Sequence, residues 1–579
     1  MKNLKLFSAT RIVNKIRNDG IIDYLDLMCK KRKMNCNYSN DLAINNENTN
    51  TNINKNKKSK KTALTYVFEE GYIFENTIIA NIIDKMSNET NKIIKMDKNN
   101  KTIGILFDET KKIILSKNYD VILNGLLMDK KTGLYGYPDL IVSGDWIKKY
   151  IKNDFLVLNQ RYYIIDIKAC NINLIDGGLN ISKMENLIGY KSQVFIYKKI
   201  LDDIQKIKNN SYGFLLGKQY KFVKCKKEII KSSFEHLACI NYNLETEIGK
   251  KVLESLQWNK NLEKNFKKNN FVKEIKPNMK NKYEKHHGYE KNKIALQNKE
   301  ITLLWNCGIK ERNKALKHGI VKYDDKKLTP SKMGFKKNTF KYNILDKMLK
   351  ILHKKKSYEI PKKNNNMEWR TIKNNEFFVD FETYNIEKNN ETEQVLYMIG
   401  IGFYNKIKKE WEQKTLLLKN KNFNVNLIDS FFYFKNEKTM INYFIDFIKK
   451  NKIERLIHWS KAETIIFYKK TKKYKIKNVD IPWFDLLEVF RNKENPIVIK
   501  NCFGFGLKTI VNSLYNLKLI DFKWLDMDDG FLAMFIARDV YNNIYSKDET
   551  NEKIQSLCKY NEIDCFALFK LLDFIRTKK

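Results

Sequence analysis

The stretch EFFVDFETYN, residues 376–385, places two carboxylates two positions apart at the end of an apolar run. Phe, Val and Tyr at this density read as a β-strand. Residues i and i+2 of a strand project from one face, so Asp380 and Glu382 point the same way. Two like charges held that close repel unless a cation sits between them. A divalent metal is the cation that fits, and the alternative is a strand end passing into a polar loop.

The chain around this motif is strongly basic. Lys plus Arg total 109 against 67 for Asp plus Glu, a formal net charge of +42 over 579 residues. Such a charge favours a polyanion as partner, most simply nucleic acid, although a lysine- and asparagine-rich composition is permissive for binding rather than proof of it. The length predicts two or three domains. A hydrophobic content of 43% is enough to build real cores. No apolar run of about 18 residues occurs, so no membrane helix is expected. The N-terminus MKNLKLFSATRIVNKIRN lacks the apolar core of a signal peptide. Nine cysteines are scattered without a C-x-x-C pair, the pattern of a reduced, soluble, intracellular protein without a structural zinc site.

Three polar segments punctuate the sequence. Residues 40–61 are low in complexity and read as a disordered insert, 259–293 read as a basic linker, and 353–366 form a third polar stretch. They predict a first domain over 1–255, a linker over 256–298, a small helical region over 299–352 and a last domain over 368–579. No internal repeat is visible.

A second set of acids lies in the first domain. GLYGYPDLIV (133–142) and RYYIIDIKAC (161–170) are strand-like runs, each interrupted by an acid. Asp166 and Lys168 share one strand face, while Ile165 and Ile167 pack the other way. Asp139 and Asp166 can hold a metal, and Lys168 can orient water or stabilise phosphate charge. Upstream, EEGYIFENTIIANII reads as a helix carrying Glu75; downstream, Gln193 and Tyr197 lie at i, i+4 on one helical face. This order of elements resembles the RecB-like branch of the PD-(D/E)XK nucleases. The resemblance implies metal and catalytic positions at Glu75, Asp139, Asp166 and Lys168, and a nucleic-acid-contacting motif at Gln193 and Tyr197.

After the opening motif come two strand-like runs around a polar turn, a strand entering a helix at ERLIHWSKAETIIFYKK, and the amphipathic IQSLCKYNEIDCFALFKLLDFIR. In the last segment Tyr560 and Asp564 stand at i, i+4. Together these elements resemble the DEDD 3′–5′ exonucleases of the ribonuclease H-like fold. The resemblance implies that Asp380, Glu382 and Asp564 hold two divalent ions and that Tyr560 orients the attacking water. IHWSKAE departs from the family's pattern, with Trp459 in place of an asparagine and Glu463 on the position of the remaining acid. Glu463 is thus either a metal ligand or a first-turn helix acid. Asp485 reads as a helix N-cap.

The expected fold is therefore α/β: a restriction-endonuclease-like N-terminal domain, a helical middle, and a ribonuclease H-like C-terminal domain with a mixed sheet. The two-part arrangement resembles predicted nucleases of microbes and large DNA viruses. The expected function is a Mg2+- or Mn2+-dependent nuclease acting on DNA rather than RNA, in repair, recombination or replication. The rivals are a chain in which only one domain is active, and a non-catalytic nucleic-acid-binding scaffold.

Overall fold

Long-range contacts divide the chain at Asn298 and Lys299 into two compact units, Leu64–Asn298 with the N-terminal segment and Lys299–Lys579. The computed structural model describes residues 5–32, 62–99, 101–151, 162–182, 187–207, 212–266, 275–283, 287–361, 367–388, 391–422, 430–477, 480–524 and 530–578. The insert expected at 40–61 lies outside the described residues. Both units are α/β with mixed sheets.

In the first unit the helices α1 (Ala9–Ile16) and α2 (Ala63–Lys85) precede the strands β1 (Ile93–Lys95), β2 (Val121–Leu123), β3 (Leu140–Ser143) and β4 (Tyr162–Ile175). The helix α3 (Ile188–Gln205), the strands β5 (Tyr212–Lys224) and β6 (Lys227–Ser232), and the helices α4 (Glu247–Asn265) and α5 (Gly288–Gln297) follow. The main sheet runs β6-β5-β4-β3-β2-β1. β4 is antiparallel to β3 and parallel to β5. Alternation along β4 sets the two faces. Tyr162 and Ile164 pack with Ile12 of α1 and Val194 and Leu201 of α3. Tyr163, Ile165 and Ile167 pack on the opposite side with Ile78 and Ile82 of α2. Asp166 and Lys168 continue the Tyr162/Ile164 face, which turns them toward α1 and α3. The ladder between β4 and β5 slips between Lys168 and Asn171, a bulge that breaks the strand just past the polar pair.

The reading of 256–298 as a linker is corrected here. α4 continues to Asn265 with Leu256 and Leu262 buried, and Ile275 is buried too. Polar composition concealed a buried hydrogen-bonded clasp. Asp19, just after α1, accepts from the Asn278 backbone N–H (2.9 Å) and Asn281 Nδ2 (2.8 Å) and pairs with Lys291 Nζ (2.8 Å). Asp19 and Lys291 are both fully buried. Polar groups can be buried when each is partnered, so a segment that reads as solvated can belong to a core.

The second unit opens with short helical elements, among them Ile309–Lys317 and Phe340–Leu352. Its six-stranded sheet contains β7 (Glu376–Lys388), β8 (Glu391–Asn405), β9 (Glu410–Leu418), β10 (Phe431–Phe434), β11 (Arg455–His458) and β12 (Trp483–Asp485) in the order β10-β9-β8-β7-β11-β12. β7, β8 and β9 form an antiparallel meander, and β11 and β12 run parallel beside β7. Phe377, Val379 and Phe381 enter one core. Phe378 enters another with Leu568, Leu571 and Ile575 of the closing helix, α7 (Lys547–Thr577), which follows α6 (Ala462–Lys473). Asp380 and Glu382 lie on the Phe378 face and so look toward α7. Here too the ladder slips, between Glu382 and Thr383.

Among the described residues no helix is long and apolar enough to cross a membrane. Cys29 is disulfide-bonded, unlike the fully reduced set expected, and the seven other described cysteines are free thiols.

Candidate active sites

In the first unit the central strand brings Asp166 and Lys168 into an ion pair, Nζ to Oδ2 at 2.7 Å, and Lys168 Nζ stands 3.7 Å from Asp139 Oδ2. Asp139 immediately precedes β3, and its Oδ2 accepts from the Ile167 backbone N–H at 2.6 Å. Asp166 is buried; burial pushes its carboxyl up to about 7, with Asp139 adding repulsion and Lys168 opposing both. Burial alone would lower the Lys168 ammonium, but Asp166 and Asp139 outweigh it and raise it. Glu75, half-buried on α2, is raised by burial and by Asp139 and lowered by Lys168 and Lys98. All four residues expected here therefore converge.

Gln193 and Tyr197 on α3 stand behind this group. Gln193 Nε2 donates to Tyr197 Oη (3.1 Å) and Thr10 Oγ1 (3.2 Å). Tyr197 is buried at 2% exposure and packs behind Asp166, not in the nucleic-acid-contacting position that the family resemblance implies.

In the second unit, ligand oxygens of Asp380, Glu382 and Asp564 lie within 4.8 Å of one another, the one group of three candidate metal-ligating side chains among the described residues. Burial pushes Asp380 up to about 7, reinforced by Glu463 and opposed by hydrogen bonds from Asn561 and Glu382. Glu382 is raised well above the carboxylate range by burial, then by Asp380 and Asp564. Asp564 is raised by burial, Asp380 and Glu463, while Tyr560 donates to it and Lys508 works against the rise. Three acids at this spacing, each driven toward protonation, are a donor set suited to divalent cations, whose hard oxygen preference matches carboxylates.

Glu463 stands in the first turn of α6, buried at 5% exposure, and its charge reaches Asp380, Glu382 and Asp564. It is not turned to solvent. Its Oε2 lies 3.4 Å from Nδ1 of the buried His458 at the end of β11. Asp485 does cap a helix: its Oδ1 accepts from the Leu487 and Ser460 backbone N–H groups, each at 2.9 Å.

Four residues escape the sequence reading. Asn561, fully buried, donates through Nδ2 to Asp380 Oδ2 (2.7 Å) and to the Asp380 carbonyl (3.2 Å). Gly400, opposite Asp380 on β8, makes room for it, because a Cβ there would overlap Asn561 Oδ1. Asn561 sits within YNEID, between Tyr560 and Asp564, and its place three residues before Asp564 on the same helical face is the signal that marks it. Lys98, near Glu75 and Asp139, and Lys508 had none in a chain of 109 basic residues. No protein-family model matches the chain, and no curated protein matches it either.

Proposed function

We propose that the chain is a metal-dependent nuclease with two phosphodiesterase sites, a PD-(D/E)XK-like one in the first unit and a ribonuclease H-like 3′–5′ exonuclease in the second, acting on DNA. The observation that carries this reading is the close group of Asp380, Glu382 and Asp564 on the central strand and closing helix of a mixed sheet, within a chain of charge +42. A pure binding surface gains nothing from acids that repel phosphate.

Asp380, Glu382 and Asp564, with Glu463 at their edge, would hold Mg2+ or Mn2+; in the first unit Glu75, Asp139 and Asp166 would do so. The ions, when bound, supply charge stabilisation on the phosphate and acidify a bound water. The chain's own groups do the rest. Asn561 fixes one oxygen of Asp380 and leaves the other for the cation. The Tyr560 hydroxyl, beside Asp564, orients the attacking water. Lys168 donates to a non-bridging phosphate oxygen, leaving its place between Asp139 and Asp166. One observation favours the rival in which the first unit only grips nucleic acid: Lys168 already supplies the cation between those two acids.

The test follows end-labelled single- and double-stranded DNA and RNA over time with Mg2+ or Mn2+, comparing wild type, Lys168→Ala, Asp380→Ala and the double variant. Each single variant should lose one class of product and the double variant all cleavage. Unchanged products in both single variants would overturn the proposal.

A further inference from the structure

Arg17, the residue that ends α1, is a cation with no anionic partner among the described residues. Its guanidinium is largely withdrawn from water, and burial lowers its pKa. Nε is buried and makes no hydrogen bond, and no carboxylate pairs with the side chain among the described residues. A buried guanidinium is ordinarily paired, because desolvating an unpaired charge is costly.

The surroundings hold this charge in place. Arg17 lies over the Tyr283 ring, 4.0 Å from its centroid. On another side it fills the space that a Cβ at Gly189 would occupy, against the first turn of α3. Tyr283 is delivered by the segment that Asp19 clasps, and Asn278 of that segment donates to the Arg17 carbonyl at 3.0 Å. Stacking on an aromatic face leaves the edge of a guanidinium, with its N–H fork, free for an incoming anion.

The location connects Arg17 to the first candidate site. Tyr190, beside Gly189 on α3, has Lys168 Nζ 5.4 Å from its ring centroid. Tyr190 also feels the Arg17 charge. One tyrosine thus separates the Lys168 centre from a pre-oriented guanidinium that has no carboxylate partner among the described residues. Planar bidentate recognition by arginine suits phosphate.

We propose that Arg17 binds a backbone phosphate of the nucleic-acid strand engaged at the Lys168 site, next to the phosphate being cleaved, and so sets the strand's register there. The proposal rests on the reading of the Asp139/Asp166/Lys168 group as a nuclease site.

The experiment uses full-length protein carrying Asp380→Ala, which silences the second site, and single-stranded DNA in which one phosphate at a time is replaced by a neutral methylphosphonate. In this parent, neutralising one particular phosphate beside the cut should slow cleavage about tenfold, the worth of one charge-assisted hydrogen bond. Adding Arg17→Gln should slow the unmodified substrate by a similar factor and abolish sensitivity at that phosphate alone. Arg17→Lys, which retains the charge, should recover part of both effects and serves as the test if the glutamine variant does not fold. If sensitivity at every phosphate is the same with and without Arg17, the side chain is structural and the proposal fails. If the Asp380→Ala parent shows no cleavage that Lys168→Ala removes, the nuclease reading of the first unit falls, and this inference with it.

Discussion

The two candidate sites share a construction and differ in how they balance charge. Each places acidic and partner side chains at i and i+2 on a central strand, just before that strand's ladder slips, at Lys168/Asn171 in one unit and Glu382/Thr383 in the other. The bulge ends regular pairing where the side chains must be aimed independently of the pleat. In the first unit the second position is a lysine, which neutralises Asp166 and Asp139 from within. In the second it is another acid, and Asp564 and Glu463 add to the excess. In the first unit the three acids Glu75, Asp139 and Asp166 face two lysines of the chain itself, Lys168 and Lys98. A group of four, in which Lys508 opposes the rise of Asp564, calls for cations from outside. The second site should therefore depend on metal more completely than the first.

The largest effect that would sharpen this contrast is expected from Asp564→Ala, which should cut 3′–5′ digestion by roughly a thousandfold, about 4 kcal/mol. Calorimetric titration with Mn2+ should show the matching loss of binding; full Mn2+ affinity in this variant would break the comparison. Lys168→Ala should lower first-site cleavage by about a hundredfold, the scale set by loss of one positioned electrostatic group. The fold should survive, because burial already pushes the Asp166 carboxyl up and, without Lys168 to oppose that rise, it takes up a proton; thermal denaturation checks this. Glu463→Gln should cost about tenfold in exonuclease turnover, or 1.4 kcal/mol. Wild-type turnover would return Glu463 to the role of a helix-dipole acid. Tyr560→Phe should be the mildest of the substitutions, a few-fold slower with Mn2+ binding retained.

The smallest expected effect concerns pH. Asp166 and Asp380 are each pushed up to about 7, above the ordinary value of about 3.9 for the unfolded chain. Between those values the folded state holds protons that the unfolded chain has released. Each acid's contribution thus favours folding at low pH and is lost as pH rises through about 7. Both acids must give up these protons to hold a cation. The rise in Tm on adding Mn2+ should accordingly be greater near about pH 8 than near about pH 6. An equal rise at both pH values would mean that neither acid is a ligand.

How far the sequence foretold this follows from which interactions are local. Asp380 with Glu382, Asp166 with Lys168, and Tyr560 with Asp564 are joined by strand or helix periodicity, and each pair meets in the structure. Glu463 was legible as a position, while its inward aim depends on how α6 leaves β11. The clasp of Asp19 by Asn278, Asn281 and Lys291 spans about 260 residues of sequence, and nothing in a polar, lysine-rich segment marks three of its members as buried. Tyr197 shows the converse limit. Its i, i+4 relation to Gln193 was correct, but periodicity does not say whether a shared face looks outward or into a core.

The fit between Gly400 and Asn561 offers a practical handle. A single added methyl group at residue 400 would evict Asn561 Oδ1 from its seat, and with it the amide that steadies Asp380, while leaving every acid and the net charge untouched. On the proposed function, Gly400→Ala should lose exonuclease activity while nucleic-acid binding is retained, a cleaner separation of the two properties than removal of any carboxylate allows.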